Sequence, residues 1–260
     1  MTKHIYITET PKEPLILDED IRQLKITVLS NQKAVLYQKS YVDEQTITIK
    51  LEEGAIFEYL SYHKKGSLDL NIFADLDQAA YLSVSLMTSS IGQINILPRI
   101  NLRDIDSSAE MLSVFLSKEN SHLTCNTYIN HERGSTTSQI MNYVIAQDDA
   151  KVIINNNTTI RNQAKFSNAN QIIKGLNLSK SSKIVANPNL FIDEYDVNAH
   201  HGAAIGAINQ DDLFYLMSRG LPENDASKII VMGFIQPLLD QIKDEEFKKE
   251  IMLDFEEKLK

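Results

Sequence analysis

Apolar and polar residues alternate along the first three-quarters of the chain. Ile47, Ile49 and Leu51, for example, each follow a polar neighbour. The same period of two recurs in further segments, which begin at Leu24, Leu68, Ala80, Ile94, Leu112 and Leu123. A period of two is typical of β-strands, whose side chains point alternately to two sides. The segments recur at intervals of roughly 10–14 residues, close to the spacing of all-β proteins.

Turn-forming residues separate these segments in a loose repeat. Gly54-Ala55 and Asp149-Ala150 each stand directly before a new strand-like run. Such a repeat permits a sandwich, a barrel or a β-solenoid, and periodicity does not choose between them. Asparagine is dense between Asn155 and Asn198. In a solenoid these side chains would hydrogen-bond from coil to coil, whereas in the other folds they would be polar residues of turns.

The hydrophobic period changes near Asn209, where a series of helices is predicted. Asn209 is suited to cap the first helix, Leu213 begins its apolar stripe, and Gly220 is suited to end it. Two further helical segments are expected, after Pro222 and from Asp244 onward.

These patterns predict a β domain over residues 1–203 and a helical region over residues 204–260.

The chain has 260 residues, of which 43% are hydrophobic and 23% are charged, as in ordinary globular proteins. No apolar run approaches the ~18–20 residues that a membrane span needs. Residues 1–9 lack the pattern of a secretion signal. We therefore expect a cytoplasmic protein without membrane contact.

Charge and composition argue against several functions. The net charge is −9, from 26 basic and 35 acidic residues, which disfavours binding to nucleic acid. The nine glycines form neither a dinucleotide-binding nor a P-loop motif. The only cysteine, Cys125, rules out an internal disulfide and a cysteine-cluster zinc site. No nucleophile–histidine–acid set stands out in the sequence.

The most specific signal lies between Asn187 and Phe234. In chain order, it comprises Pro188, Leu190, Ile192, Asp196, Val197, His201, Gly202, Ala203, Gly206, residues 213–216 and 218–220, and Gly233-Phe234. This pattern closely resembles the C-terminal signature of the SufB/SufD family, the scaffold subunits of the SUF iron–sulfur cluster assembly machine. A looser match spans most of the chain.

Departures from the family pattern favour a SufD-type over a SufB-type member. SufB-type proteins carry an essential cysteine upstream of the histidine motif, where this chain has residues 171–174 without a thiol. They also carry Glu-His-Glu where this chain has His200-His201-Gly202. The helical N-terminal extension common in the family is not expected, because the β-pattern starts near Ile5.

The resemblance implies a mainly β fold, a right-handed parallel β-helix followed by a small C-terminal helical subdomain. It also implies a non-catalytic scaffold that pairs edge to edge with a SufB-like subunit and binds SufC, an ATPase of the ABC class. An alternative is a stand-alone homodimeric scaffold that acts with its own ATPase.

The resemblance also places a functional histidine at His201, near the interface between subunits, as a transient ligand of iron or of the nascent cluster. The alternative is a histidine that only caps a strand end. His200 would point to the opposite side of an extended chain. The isolated chain has too few soft ligands to hold a cluster stably, so a transient cluster in the complex is expected.

We interpret Cys125 as a buried small residue and His131 as part of a solvated loop.

The first helix is the second candidate site. By resemblance, the ATPase-docking residues are Leu213, Phe214, Tyr215, Ser218, Arg219 and Gly220. In the alternative interpretation, this stripe packs on the end of the β-helix and seals its core. Arg219 would bind either the carbonyls at the helix end or an acidic partner.

Overall fold

A computed structural model describes residues 1–64 and 66–259, and within these residues the chain forms sixteen strands and three helices. The strands are β1 (Thr2–Ile7), β2 (Leu15–Asp18), β3 (Gln23–Val28), β4 (Lys33–Ser40), β5 (Glu44–Leu51), β6 (Ile56–His63), β7 (Leu68–Leu76), β8 (Tyr81–Ser90), β9 (Gln93–Leu102), β10 (Ser108–Ser117), β11 (His122–His131), β12 (Thr137–Ala146), β13 (Lys151–Ile160), β14 (Asn168–Asn177), β15 (Lys183–Ile192) and β16 (Asn198–Gly206). The helices are α1 (Gln210–Ser218), α2 (Glu223–Leu239) and α3 (Glu245–Lys258).

The strands form a parallel β-solenoid. The odd-numbered strands make one eight-stranded sheet, which we call the odd sheet, and the even-numbered strands make the other, the even sheet. Each described strand pairs in parallel with the strand two places away in the chain, so that each coil contributes one strand to each sheet. This topology excludes the sandwich and barrel alternatives and confirms the predicted mainly β fold of a parallel β-helix followed by helices.

The alternating pattern fills the space between the two sheets. Ile26, Ile49, Ala74 and Ile100 are aligned on four consecutive odd strands, and all four are buried in the interior. Because parallel strands stack in register, one apolar parity along the chain produces continuous apolar rows through the solenoid.

The coils lengthen toward the C-terminal end. Leu15 aligns with Leu36, 21 residues further on, whereas Thr137 aligns with Asn168, 31 residues further on. Between these pairs, the offset in the even sheet rises by two residues at each step. The strands lengthen as well, from four residues in β2 to ten in β12. The solenoid is therefore tapered, with its wide end at β15 and β16.

One corner of the solenoid repeats the same turn. Residues with a left-handed backbone recur there and donate their backbone N–H to a carbonyl in the next coil; these residues are Asn31, Gly54, Ala79, Ser135 and Phe166. Each such turn is thereby tied to its neighbour, which satisfies backbone donors that would otherwise lose their partners at the corner.

Asparagine ladders run along the outer face of the odd sheet. The Nδ2 atom of Asn155 donates to Oδ1 of Asn126, and that of Asn187 donates to Oδ1 of Asn155, each at 2.7 Å. Asn189 bonds Asn157 in the same way at 3.1 Å. The dense asparagines therefore do hydrogen-bond from coil to coil, as expected for a solenoid.

Helices α2 and α3 pack on the outer face of the even sheet. A second apolar core joins residues of both helices, such as Ile235 and Phe255, to outward side chains of β4, β6, β8, β10 and β12. Tyr37 stacks on Phe247 with ring centroids 5.3 Å apart, and Tyr143 meets Phe234 edge-on at 5.3 Å. Strands β4 to β12 of the even sheet are thus covered on both faces.

A polar network fastens α3 to the same face. The carboxylate of Asp254 accepts hydrogen bonds from the Tyr62 hydroxyl and, at 2.6 Å, from Ser89 Oγ. The ammonium of Lys258 donates to the Ser89 carbonyl at 2.5 Å. One turn earlier, Glu250 forms ion pairs with lysines of β4 and of the segment that follows β6. These bonds fix the rotation of α3 about its axis.

Candidate functional site

The wide end of the solenoid is open. Strands β15 and β16 are the last strands of their sheets, and no further strand pairs with either of them among the described residues. Nearly all of β16 is exposed. Phe191, Ile192, Tyr195 and Ile205 present apolar surface there. An unpaired parallel edge flanked by apolar side chains is a surface on which another strand can pair.

His201 lies on this open end. It aligns with Gln171 on β14, whose side chain is fully buried inside the solenoid. His201 therefore belongs to an inward-facing row, and it is exposed because β16 is the last strand in that row. His200 aligns with Asn170 on the outer face and is also exposed. The two adjacent imidazoles thus lie on opposite sides of β16, as expected.

The interior beneath His201 is polar. Asn142, Asn156, Thr158 and Gln171 are each 1% exposed or less. Asn156 Nδ2 donates to Asn142 Oδ1 at 2.7 Å, and Gln171 Nε2 donates to Thr158 Oγ1 at 2.8 Å. The interior of the wider coils thus contains hydrogen-bonded amides and hydroxyls.

The interpretation of His131 as part of a solvated loop is wrong. His131 is fully buried at the end of β11, and its two ring nitrogens lie 2.7 Å from Thr136 Oγ1 and 2.8 Å from Ser138 Oγ. Burial lowers the pKa of His131 to about 4, so the ring is neutral near pH 7. It shares the parity of Ile129, a signal that could have placed it inside.

Cys125 is buried inside the solenoid, as predicted. Burial raises the pKa of its thiol to about 12, which suppresses the reactive thiolate. Among residues 1–64 and 66–259, no three histidine, cysteine or acidic side chains come together as a metal site.

The acidic turn between β15 and β16 has a structural role. Glu194 accepts hydrogen bonds from the backbone N–H groups of Tyr195 at 2.9 Å and Gln163 at 3.0 Å. These donors lower the pKa of the Glu194 carboxyl. The turn is thereby bonded to the coil below it.

Helix α1 does not seal the solenoid. Of its residues, all of which the structure describes, only Leu213 is buried. Phe214 and Tyr215 are 73% and 57% exposed. The side chain of Asn209 caps the helix by accepting from the N–H of Asp211 at 2.9 Å, and Gly220 follows it with a left-handed backbone, as expected.

The backbone N–H of Arg219 donates to the Leu216 carbonyl at 3.1 Å, but its guanidinium makes no hydrogen bond to the carbonyls at the end of α1 among the described residues. Its guanidinium lies over the Tyr215 ring, 5.4 Å from the centroid, and Nη2 is 3.4 Å from the Tyr215 hydroxyl. Arg219 and Tyr215 thus form one exposed cationic and aromatic surface beside Phe214. Ser218 and Gly220 are exposed at the same end of the helix.

The fold and these exposed surfaces define a solenoid with an open end and a C-terminal helical unit. The family described as "SUF system FeS cluster assembly, SufBD core domain" matches residues 20–234, and the chain belongs to this family.

Curated relatives carry the same assignment. The chain is 35% identical over 134 residues to the iron–sulfur cluster assembly protein SufD of Bacillus subtilis, covering 52% of this chain and 31% of that protein. It is 24% identical over 176 residues to SufD of Escherichia coli, covering 68% of this chain and 41% of that protein. The chain thus spans less than half the length of these relatives.

In the part of the chain that the structure describes, no helix has the length and apolar character needed to cross a membrane.

Proposed function

We propose that the chain is a non-catalytic, SufD-like scaffold of the SUF system, which pairs with a SufB-like subunit and binds a SufC-like ATPase. One observation carries this proposal: the residues of the family signature lie mainly on two exposed surfaces, the open end of the solenoid and helix α1. Signature residues kept for folding alone would be expected inside.

The open end suits the SufB-like subunit. A second solenoid edge can supply the backbone partners that β15 and β16 leave free among the described residues, and it can cover Phe191 and Ile205. The joint would place His201 beside the partner. A neutral imidazole is a good ligand for iron, and the partner would supply the remaining ligands.

Helix α1 suits the ATPase. Phe214 offers an apolar anchor, and the stacked pair of Tyr215 and Arg219 offers hydrogen-bond donors beside it. Aromatic and arginine side chains are the residue types that most often dominate the affinity of protein interfaces. ATP hydrolysis in that partner would supply the energy, and the iron–sulfur cluster would be the cargo of the complex.

Co-purification from the native host tests the partnership. We expect a SufB-like chain and an ATPase to be recovered and identified by mass. Recovery of the ATPase with this chain alone would favour the stand-alone homodimeric scaffold instead. Recovery of neither would contradict both forms of the proposal.

The docking role of α1 has a matched test. Phe214→Asp should reduce recovery of the ATPase at least tenfold, because it places a charge at the centre of the apolar contact. Tyr6→Asp is the control, since Tyr6 is comparably exposed on β1. Full recovery with a folded Phe214→Asp protein would refute docking on α1.

The role of His201 has a matched test as well. His201→Ala should leave folding unchanged and lower the yield of assembled cluster severalfold in the complex, because one ligand is lost. His200→Ala is the control, since its side chain lies on the opposite face of β16. An equal effect of the two substitutions, or none, would remove this role.

A further inference from the structure

An apolar groove runs between helices α2 and α3 on their exposed side, with a volume of about 630 Å³. Its apolar lining comes from Ile229 and Met232 of α2 and from Met252 and Leu253 of α3. The side chains of Ile229 and Leu253 are 50% and 56% exposed. Exposed apolar side chains on two neighbouring helices form a surface on which a further helix can pack.

The charged side chains of this groove are separated along its length. Leu259, which follows α3, lines a cavity together with the first residues of α2, so the two helices run in opposite directions. Asp225 of α2 and Glu256 and Glu257 of α3 therefore lie at the same end of the groove. Lys248 and Lys249 lie about two turns earlier on α3, toward the other end.

The acidic end of the groove has an excess of negative charge. Its three carboxylates form no ion pair within the described part of the chain, and Lys228 is the one basic side chain that lines this groove with them. A docked helix is therefore favoured when its basic side chain lies at this end and its acidic side chain lies beside the two lysines of α3.

Helix α1 has the complementary pattern. Phe214 is exposed on it, Asp211 lies in its first turn, and Arg219 directly follows its last residue. At 1.5 Å per residue, Asp211 and Arg219 are about 12 Å apart along the helix axis, and so are Lys249 and Glu257 on α3. The charges of α1 and α3 therefore match in sign and in spacing when the two helices run in the same direction.

The α1 helix of the same chain cannot reach this position. The start of α3 lies on β4, where Phe247 stacks on Tyr37, whereas α1 is joined to β16 by residues 207–209. In the even sheet, β4 and β16 are six strand spacings apart, or about 29 Å. A linker of three residues spans at most about 14 Å. An α1 helix in this groove therefore comes from another molecule.

We propose that the groove binds helix α1 of a second copy of this chain, with Arg219 beside Glu257 and Asp211 beside Lys249. The exposed aromatic face of α1 then covers the apolar side chains of the groove. Each copy has one such helix and one such groove, so two copies form both contacts at once about a twofold axis.

The pairing has a consequence for the ATPase, and this consequence alone rests on the proposed function. The second copy covers the same face of α1 to which the ATPase is proposed to bind. The ATPase must then displace the second copy, and the homodimer is a resting state in which the docking surface is hidden.

Sedimentation velocity on the full chain tests the pairing. All proteins carry Ile205→Lys, so that the open end of the solenoid does not contribute to association. We expect reversible dimers that Leu253→Glu weakens at least tenfold, because it places a charge in the apolar part of the groove. Ile153→Glu is the control, since Ile153 is exposed on the outer face of the odd sheet. A monomer at every concentration, or dimers that Leu253→Glu leaves unchanged, would overturn the proposal.

A charge exchange tests the orientation of α1 in the groove. Arg219→Glu and Glu257→Arg should each weaken the dimer at least fivefold, because each places two like charges side by side. The protein with both substitutions should regain the affinity of its parent to within about twofold. A double variant that associates more weakly than either single variant would contradict the assigned pairing.

The pairing and the proposed function can fail separately. If the chain dimerises in this way but Phe214→Asp leaves recovery of the ATPase unchanged, the pairing stands and docking of the ATPase on α1 does not. If the chain stays monomeric and Leu253→Glu lowers recovery of the ATPase, the groove serves the ATPase and the pairing is wrong.

Discussion

Two histidines show how the interior selects protonation states. His63 is 2% exposed, and its single hydrogen-bond partner among the described residues is Ser61 Oγ, which lies 2.8 Å from its Nε2. Burial lowers the pKa of His63 to about 4, as it does for His131. Both rings are neutral in the folded protein, and both must gain a proton when the chain unfolds in mild acid.

This difference predicts loss of stability on acidification. Because the folded pKa values lie below the unfolded value of about 6.5, stability is fully present above pH 6.5 and falls as the pH drops toward 4. Between pH 7 and pH 5, we expect the free energy of unfolding to fall by about 2 kcal/mol for each histidine. Urea titrations at several pH values measure this loss.

The substitution His131→Gln provides the control. It removes one titrating group, so the pH dependence should fall to about half. A pH dependence between pH 7 and 5 that is equally steep in the substituted protein would contradict this account.

Single residues differed in how well the sequence predicted them. Cys125 was placed inside because it alternates with apolar residues, and parity alone decides that question in a strand. The same rule applied to His131, but its neighbours Glu132 and Arg133 indicated a loop. The missing information was the pair of hydroxyls, one in the turn before β12 and one on β12, that makes a buried imidazole acceptable.

At the scale of elements, the positions of the helices could be predicted but their packing could not. The caps at Asn209 and Gly220 are local features, and the structure contains both. The surface on which the helices pack can be recognised in the sequence of β10. Leu112, Val114 and Leu116 are apolar on one side of this strand, and Met111 and Phe115 are apolar on the other side. Strands that are apolar on both sides are buried on both faces, and here the second cover is α2 and α3.

The polar contacts of α3 lead to a prediction about this helix. Asp254→Asn keeps the size of the side chain but removes the negative charge of the carboxylate. That carboxylate accepts hydrogen bonds from Tyr62 and Ser89 and forms an ion pair with Lys258. We expect a loss of about 1–3 kcal/mol in the stability of the docked helix. Amide hydrogen exchange along residues 245–258 should accelerate accordingly.

The control for this prediction lies on the same helix. Glu256 is exposed, so Glu256→Gln should leave exchange unchanged within a few tenths of a kcal/mol. Equal effects of the two substitutions would show that α3 is held by its apolar face alone.

At the scale of the whole molecule, the open wide end predicts association. An unpaired edge with exposed Ile205 and Phe191 should allow two isolated chains to meet end to end at high concentration. Ile205→Lys should shift this equilibrium toward the monomer at least tenfold, because charged residues protect edges from pairing. Sedimentation velocity over a range of concentrations measures the shift.

Ile16→Lys serves as the control at the other end of the solenoid. Ile16 is 54% exposed on β2, so a charge there should not change the association. If this substitution rather than Ile205→Lys abolished association, the narrow end would be the joint.

The architecture as a whole was only partly determined by the pattern of residues. Periodicity gave strands and turns, but it left sandwich, barrel and solenoid open, since all three need the same alternation. The resemblance carried by the stretch from Asn187 to Phe234 favoured the solenoid, and the pairing of alternate strands confirms it. The taper was not foreseen, because a repeat that grows by two residues per turn has no fixed period to detect.

The taper also gives the successive coils of the even sheet, from β2 to β14, different lengths. In a solenoid of equal repeats, a strand of the folding chain can pair one coil away from its correct position and still form all its backbone hydrogen bonds. Mispaired stacks then compete with the native one. In the even sheet between β2 and β14, a coil displaced by one position would be two residues too long or too short for its place. The gradual increase in coil length thus disfavours the displaced pairing of these strands.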